Sequence, residues 1–370
     1  MHRITLLDSL RGIAALIVVF HHYFSHFTSV FHPLQQQQPW LFQLLSFVSD
    51  LNVEAVLFFF VLSGFCIQLS IDKLDFTKRG DINYYLYKRF KRILPLYFIG
   101  LAFTLTLGLV THQHHDSSYS VINLLGNLLF LQTSKTAGAY WFSPYGGNGP
   151  LWSLSYEMFF YLLFPWYRLF LNRIARFVKK QAALYEVGLG LALLLSLVGV
   201  LSKHLLFTPF SAFLSYFFIW FSGVYLGRLF QRNQLRDGIV SLYFGLIVSL
   251  FLTTLYFPSD TIRNLISGGC IFLSCYAFYR FTALRDNAVF VFLKSAAGKT
   301  FHFVGVGSYA LYILHFPVLK YFKEDYALWA CLAIVLLVPI CVFLEEKLVR
   351  LKYSFLKVNY IPSRIVGIKK

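Results

Sequence analysis

Charge is what this sequence is short of. Only 13% of its 370 residues are Asp, Glu, Lys or Arg, about half the share found in an ordinary soluble domain. That shortage excludes a disordered tail, a collagen-like fibre and a soluble enzyme of ordinary surface chemistry. Cysteine is scarce as well. The five present (Cys66, Cys270, Cys275, Cys331, Cys341) all sit in apolar segments, and their spacing matches neither a metal site nor a disulfide framework. There is no Pro- or Ser-rich linker and no internal repeat, and one low-complexity spot, Gln35–Gln38. The first apolar stretch is not followed by a small-residue cleavage site, so it is expected to remain as a helix.

What is abundant is apolar surface: 58% of residues are hydrophobic and 19% aromatic, with a mean hydropathy of +0.62. These residues fall in runs of roughly 20, the length that crosses a bilayer core of about 30 Å. The expected fold is an all-α polytopic membrane helix bundle. About ten spans are expected, at 11–29, 51–71, 93–111, 151–171, 185–202, 210–230, 239–257, 262–280, 303–321 and 326–346. The apolar piece 121–133 is too short to span comfortably and reads as a re-entrant or interfacial helix. Residues 1–370 are expected to form one integral-membrane domain with no appended soluble domain.

The basic residues orient this bundle. Lys and Arg number 33 against 16 Asp and Glu, a net charge of +17, which in a soluble protein would point to nucleic acid. Here no basic run is interleaved with stacking aromatics outside the apolar segments, so no nucleic-acid partner is expected. The partner is the bilayer, and basic residues concentrate in cytoplasmic loops. Arg3 and Arg11 lie at the N-terminal end, seven in 72–92, five in 168–184, three in 228–238, four in 280–300 and seven in 347–370, which is 28 of the 33. That asymmetry puts both termini in the cytoplasm. An eleventh span at 121–133 would invert every later loop and destroy it.

Polar residues at membrane depth are the informative ones, because stranding them in lipid is costly unless they find partners or line a cavity. Arg11 and His22 lie eleven residues apart on the first helix, within about 20° of one face and about 16 Å apart in depth. Each alone reads as a snorkelling Arg or a packing His; on one stripe they read as a pathway. In the second span Ser63 and Gly64 allow close helix approach, and Glu54 near its outer end is ambiguous. Arg89 and Arg92, at i and i+3 before a Pro-containing helix, fit a topology signal or a phosphate clamp. Glu157 lies about two turns into the fourth span, behind the flexible Gly146, Gly147, Asn148 and Pro150. It is a functional candidate or the structural partner of a buried cation. Trp152 and Tyr156 are an interfacial belt or a platform for a sugar ring. The ninth span brings Ser308, Tyr309, Tyr312 and His315 into one helix. His112, His114 and His115 crowd an outer loop beside Asp116 alone, which reads as solvated rather than as a metal site; no bound metal is expected.

In this order the segments resemble the membrane O-acyltransferases known as acyltransferase family three, which includes bacterial enzymes that acetylate O-antigen, exopolysaccharide and nodulation oligosaccharides. The matching motifs are Arg11-x10-His22, FFVLSGF at 59–65 and R-x-x-R-I-x-P-x-Y at Arg89 to Tyr97. They continue with W-S-L-x-x-E at Trp152 to Glu157, Phe160-Tyr161, and S-Y-x-L-Y-x-x-H-x-P at Ser308 to Pro317. Two departures stand out. Many relatives carry Gly and a small or acidic residue where this chain has Ala55 and Leu57, and some append an extracytoplasmic esterase-like domain.

The resemblance implies an inner-membrane, multi-pass bacterial enzyme that takes acetyl from acetyl-CoA in the cytoplasm as co-substrate, with no bound cofactor. The acceptor would be a hydroxyl of a cell-surface glycan such as O-antigen, exopolysaccharide or a lipid-linked oligosaccharide, at the outer side. Where another protein receives the acyl group, polysaccharide-assembly proteins would be partners. Under that reading Arg89, Arg92 and Arg11 grip the donor phosphates and His22 is the general base. Glu157 orients the imidazole or holds the sugar. Trp152, Ser63, Ser308, Tyr309 and His315 face the acceptor or the tetrahedral oxyanion. The rival class is a transporter or flippase, since intramembrane Arg, His and Glu also mark transport paths. The halves 1–180 and 181–370 lack the paired broken helices that such proteins often show.

Overall fold

Long apolar runs broken by short polar turns give a chain of helices. The computed structural model describes residues 2–133, 141–175, 183–205, 209–232, 260–284, 291 and 294–354. The helices are α1 (His2–His26), α2 (Thr28–Gln37), α3 (Pro39–Asp50), α4 (Asn52–Ser70), α5 (Arg79–Val110), α6 (Val121–Leu128) and α7 (Trp152–Ile174). They continue as α8 (Ala183–Leu205), α9 (Pro209–Leu214), α10 (Phe217–Arg232), α11 (Asp260–Leu284), α12 (Ala296–Val306), α13 (Ser308–Tyr321) and α14 (Ala327–Ser354). Among the described residues the β-structure is a lone bridge between Gln132 and Phe142.

The expected count of ten spans is not what the described residues show. Six stretches are long and apolar enough to cross a membrane: Thr5–His26, Pro39–Ser70, Arg79–Val110, Leu184–Ser202, Ser211–Arg232 and Glu324–Leu348. The bent pair α12 and α13 makes a seventh if taken as one span. The expected span 239–257 lies outside the described residues. Helix α7 is 23 residues long, about 35 Å, but carries Glu157 and Arg168. Ser153 and Ser155 are buried, and Glu157 and Arg168 are partly buried and line cavities inside the bundle. The expected straight helix at 303–321 is bent by 78° at Gly307. The piece at 121–133 is short, as its length requires: α6 is eight residues long and ends before Phe130, whose φ is 58°.

The outward face of α14 shows what surrounds the bundle. Leu328, Leu332, Val335, Leu336, Ile340 and Phe343 are exposed, Leu328 at 71%. They recur every three to four residues, so the stripe that a soluble helix would bury faces out here. Only an apolar solvent makes that arrangement favourable. The chain is a multi-pass membrane protein.

Glycine sets the closest helix contacts. A Cβ at Gly64 of α4 would collide with the Trp220 carbonyl oxygen of α10, and one at Gly223 would collide with the Val61 carbonyl oxygen. The two backbones therefore touch. On the other side of the bundle, Gly12 of α1 abuts the Phe301 carbonyl oxygen, and Gly305 of α12 abuts that of Asp8. Between α7 and α10 the fully buried Phe160, Phe164, Phe217, Trp220 and Phe221 form the densest aromatic packing. Trp152 joins its edge, with Phe60 at 6.2 Å and Tyr156 at 5.1 Å.

Candidate functional site

The helices enclose a cavity of about 240 Å³ toward the end of the bundle where α1 begins. Helices α1, α4, α5, α7, α12, α13 and α14 contribute to its wall. Three carboxylates line it, and each is engaged. Asp8 lies 3.6 Å from Arg11 of the same helix. Glu157 accepts from Ser63 Oγ at 2.5 Å and from the Tyr161 hydroxyl. Ser63 is also 2.8 Å from the Tyr161 hydroxyl and accepts from Trp220 Nε1 at 3.1 Å. Glu157 is thus held at the end of a fixed chain of donors running from α10 through α4.

The third carboxylate, Glu345 of α14, explains the break before α13. That helix starts at Ser308 without a side-chain cap from the residue preceding it, so its first amides need an outside acceptor. Glu345 Oε1 accepts from Tyr309 N at 2.8 Å and Ala310 N at 2.9 Å, and a negative group is favoured at that helix end. The Tyr309 hydroxyl reaches the Ile93 carbonyl at 3.2 Å and ties α13 to α5 one residue beyond Arg92.

Arg92 is the cation left over. Its guanidinium is surrounded by protein and faces Tyr161, Glu157 and Glu345, yet it is accessible, because it opens onto the cavity. Among the described residues no hydrogen bond or ion pair engages it. Arg89, one turn earlier, points elsewhere. It is buried at 7% exposure, donates from Nη2 to Ser70 Oγ at 2.9 Å and lies over the Tyr85 ring. Its Nε is buried without a partner. The two arginines read together from the sequence therefore part company: one serves the cavity and the other braces the end of α4.

A line of rings runs on from the cavity. Ser153 and Tyr312 line it, with their oxygens 2.8 Å apart. The Tyr312 ring is 6.2 Å from that of His315, which is 5.3 Å from that of His22. His315 is fully buried. Its Nδ1 meets the Leu311 carbonyl at 2.9 Å, an atom that can only accept, so in the neutral ring Nδ1 carries the proton. Nε2 is then a bare lone pair, buried and without a partner. His22 is half-buried and also packs edge-on against Phe316 at 4.7 Å. Its neighbour His21 is committed to Ser49 and Asn52.

A glycine turn holds the far side of this line. Pro317 in α13 has no N–H for the Ile313 carbonyl four residues back, and Asn148 Nδ2 takes that carbonyl at 3.0 Å. Gly146 and Gly147, at φ 58° and 66°, supply the left-handed backbone that brings Asn148 into place. Lys320 Nζ closes the turn on the Gly146 carbonyl at 3.1 Å.

Of the residues singled out from the sequence, the cavity gathers Arg11, Arg92, Ser63, Glu157, Ser308, Tyr309 and Tyr312. His22 and His315 pair beyond it, Arg89 sits off it, and Trp152 belongs to the aromatic packing. Sequence reasoning missed Asp8, Ser153, Trp220 and Glu345. Asp8 had a local signal, since it stands at i−3 from Arg11. Glu345 had none, because an acid at the end of a last apolar run looks like a solvated terminus.

The family model of the acyltransferase domain, acyltransferase family three, matches residues 4–346. The chain is 24% identical over 327 residues to the O-acetyltransferase OatA of Staphylococcus aureus strain NCTC 8325, covering 84% of this chain and 52% of that protein. It is 22% identical over 285 residues to the peptidoglycan O-acetyltransferase OatA of Listeria monocytogenes, covering 70% of this chain and 44% of that one. The chain therefore spans about half the length of these curated relatives. No solved structure matches. The cavity residues and the family match converge: the chain belongs to acyltransferase family three.

Proposed function

We propose that the chain is an inner-membrane O-acyltransferase with cytoplasmic termini. It moves an acyl group, acetyl from acetyl-CoA, to a hydroxyl of a cell-surface glycan such as O-antigen, exopolysaccharide, peptidoglycan or a lipid-linked oligosaccharide. The observation that carries this reading is the junction of two features at one cavity. Arg92 offers a cation inside it that faces Glu157 and Glu345 without a hydrogen bond to either, and the Tyr312–His315–His22 line leads out of it. An anionic donor and a proton acceptor are the two requirements of acyl transfer from a thioester.

In this mechanism Arg92 and Arg11 draw the donor into the cavity by charge. The acceptor oxygen attacks the thioester carbon while its proton passes to His22. The carbonyl electron pair moves to oxygen, and the Tyr312 or Ser308 hydroxyl stabilises that oxyanion. Collapse re-forms the carbonyl, breaks the C–S bond and releases CoA as the thiolate, which recovers a proton. His315 holds the His22 ring and offers Nε2 as a second acceptor. Glu157, fixed by Ser63 and Tyr161, holds the cavity wall and orients the acceptor.

The test is thiol release from acetyl-CoA by purified protein given surface glycan. The wild type should release thiol in step with glycan O-acetylation, and His22→Ala should release none. Thiol release by neither protein, with both folded, would refute the reading.

A further inference from the structure

A second cavity, of about 260 Å³, lies at the same end of the bundle. It sits where α4, α7 and α10 finish and α8 begins. Three arginines line it: Arg168 of α7 and Arg228 and Arg232 of α10. The Tyr185 ring is held between two of them, with Arg168 at 4.8 Å and Arg228 at 5.0 Å. Stacking of this kind fixes the guanidinium planes and leaves their edges to donate.

A basic loop that served only topology would hold its arginines in water. Arg168 does not fit that description. Its Nε and Nη1 are buried and have no acceptor among the described residues. Two carboxylates also line the cavity, and neither offsets the charge closely. Asp72 is exposed and stands 4.0 Å from Arg228, while Asp75 is occupied by the Thr77 amide and hydroxyl at 3.1 and 2.7 Å. The volume is an order of magnitude beyond what admits one water. Gln68 and Gln231, bonded at 2.9 Å, pin α4 to α10 beside it.

We propose that this cavity is a phosphate-ester site, in which the forks of Arg168 and Arg228 and the exposed Arg232 grip a phosphorylated ligand. The chemistry has two sources, the nucleotide end of acyl-CoA or the headgroup of an anionic phospholipid. Helix geometry favours the donor. Arg168 follows Glu157 by eleven residues on α7, within about 20° of the same face and about 16 Å along the axis. One extended molecule lying along that face would place its ribose phosphate at Arg168 and lead its diphosphate and acyl arm toward Arg92 and the Glu157 cavity. The donor source rests on the acyltransferase reading above; the headgroup source does not.

The test titrates full-length protein, in uncharged detergent, with adenosine 3′,5′-bisphosphate, which carries ribose phosphates and no thioester arm. A parallel arm uses native mass spectrometry to count phosphatidylglycerol retained from mixed phosphatidylcholine nanodiscs. The variants are Arg168→Gln and Arg232→Gln, checked by size-exclusion elution. Arg232 is exposed, so its variant keeps the fold even if the other does not. Wild-type binding of the bisphosphate that weakens tenfold or more in Arg168→Gln and about threefold in Arg232→Gln confirms the site with the donor as source. No bisphosphate binding, but phosphatidylglycerol retained by wild type and lost from both variants, confirms the site with lipid as source and removes this support for acyl-CoA. Equal bisphosphate binding by all three proteins overturns the site while leaving the acyl-CoA reading intact. Neither ligand bound by wild type also overturns it.

Discussion

Removing the carboxylate of Glu345 should release the start of α13. Glu345→Ala takes a charged acceptor from the Tyr309 and Ala310 amides, now at 2.8 and 2.9 Å. Hydrogen bonds to charged groups contribute about 1.5–3 kcal/mol each, and losing a helix cap costs about 1 kcal/mol. These overlap, so the expected loss is about 2–4 kcal/mol. Glu345→Gln keeps an oxygen for both amides and gives up only the charge at the helix end, worth about 1 kcal/mol. At roughly 2 °C per kcal/mol for a chain of this size, Tm should fall by about 4–8 °C for Ala and about 2 °C for Gln. Thermal unfolding in uncharged detergent measures this, and hydrogen exchange at Tyr309 and Ala310 localises it. Unchanged Tm and protection in Glu345→Ala would refute the cap. A Gln variant as damaged as Ala would refute it too, and would show that Glu345 acts through its charge on Arg92 and Arg11, both of which face it.

Arg92→Ala should raise the KM for acyl donor tenfold or more and leave Tm nearly unchanged. Arg89→Ala should do the reverse, losing about 1–3 kcal/mol of stability at unchanged donor KM; steady-state kinetics and thermal unfolding on both variants separate the two roles. His22→Ala and His315→Ala should each lower transfer about as much as the double variant, as residues acting as a unit do; additive losses would separate them. Gly64→Val should abolish folded protein, since its Cβ meets the Trp220 backbone, and a monodisperse size-exclusion peak would contradict that packing.

The membrane character and the helices were legible in the sequence because both rest on local composition. The spans were less so, because charge inside a helix is tolerated when a neighbour answers it. Glu157 makes α7 look marginal until Ser63 and Tyr161 are seen beside it. The bend at Gly307 depends on an acceptor 38 residues away in sequence, and no local pattern announces it. Polar residues at membrane depth show on a single helix, and the cavity gathers three of them, Arg11, Arg92 and Glu157. Direction does not show where two residues share a motif. Arg89 and Arg92 are three residues apart, about 60° around the helix, and that angle sends one to Ser70 and the other to the cavity. Trp152, which the sequence leaves between an interfacial belt and a sugar platform, packs on Phe60 and Tyr156.

The most direct test of acyl transfer is NMR of surface polysaccharide, peptidoglycan and lipopolysaccharide from cells carrying wild-type protein, His22→Ala protein or none. The account predicts an O-acyl signal on one glycan with wild type alone. Identical spectra from all three, with both proteins present in the membrane, would contradict it.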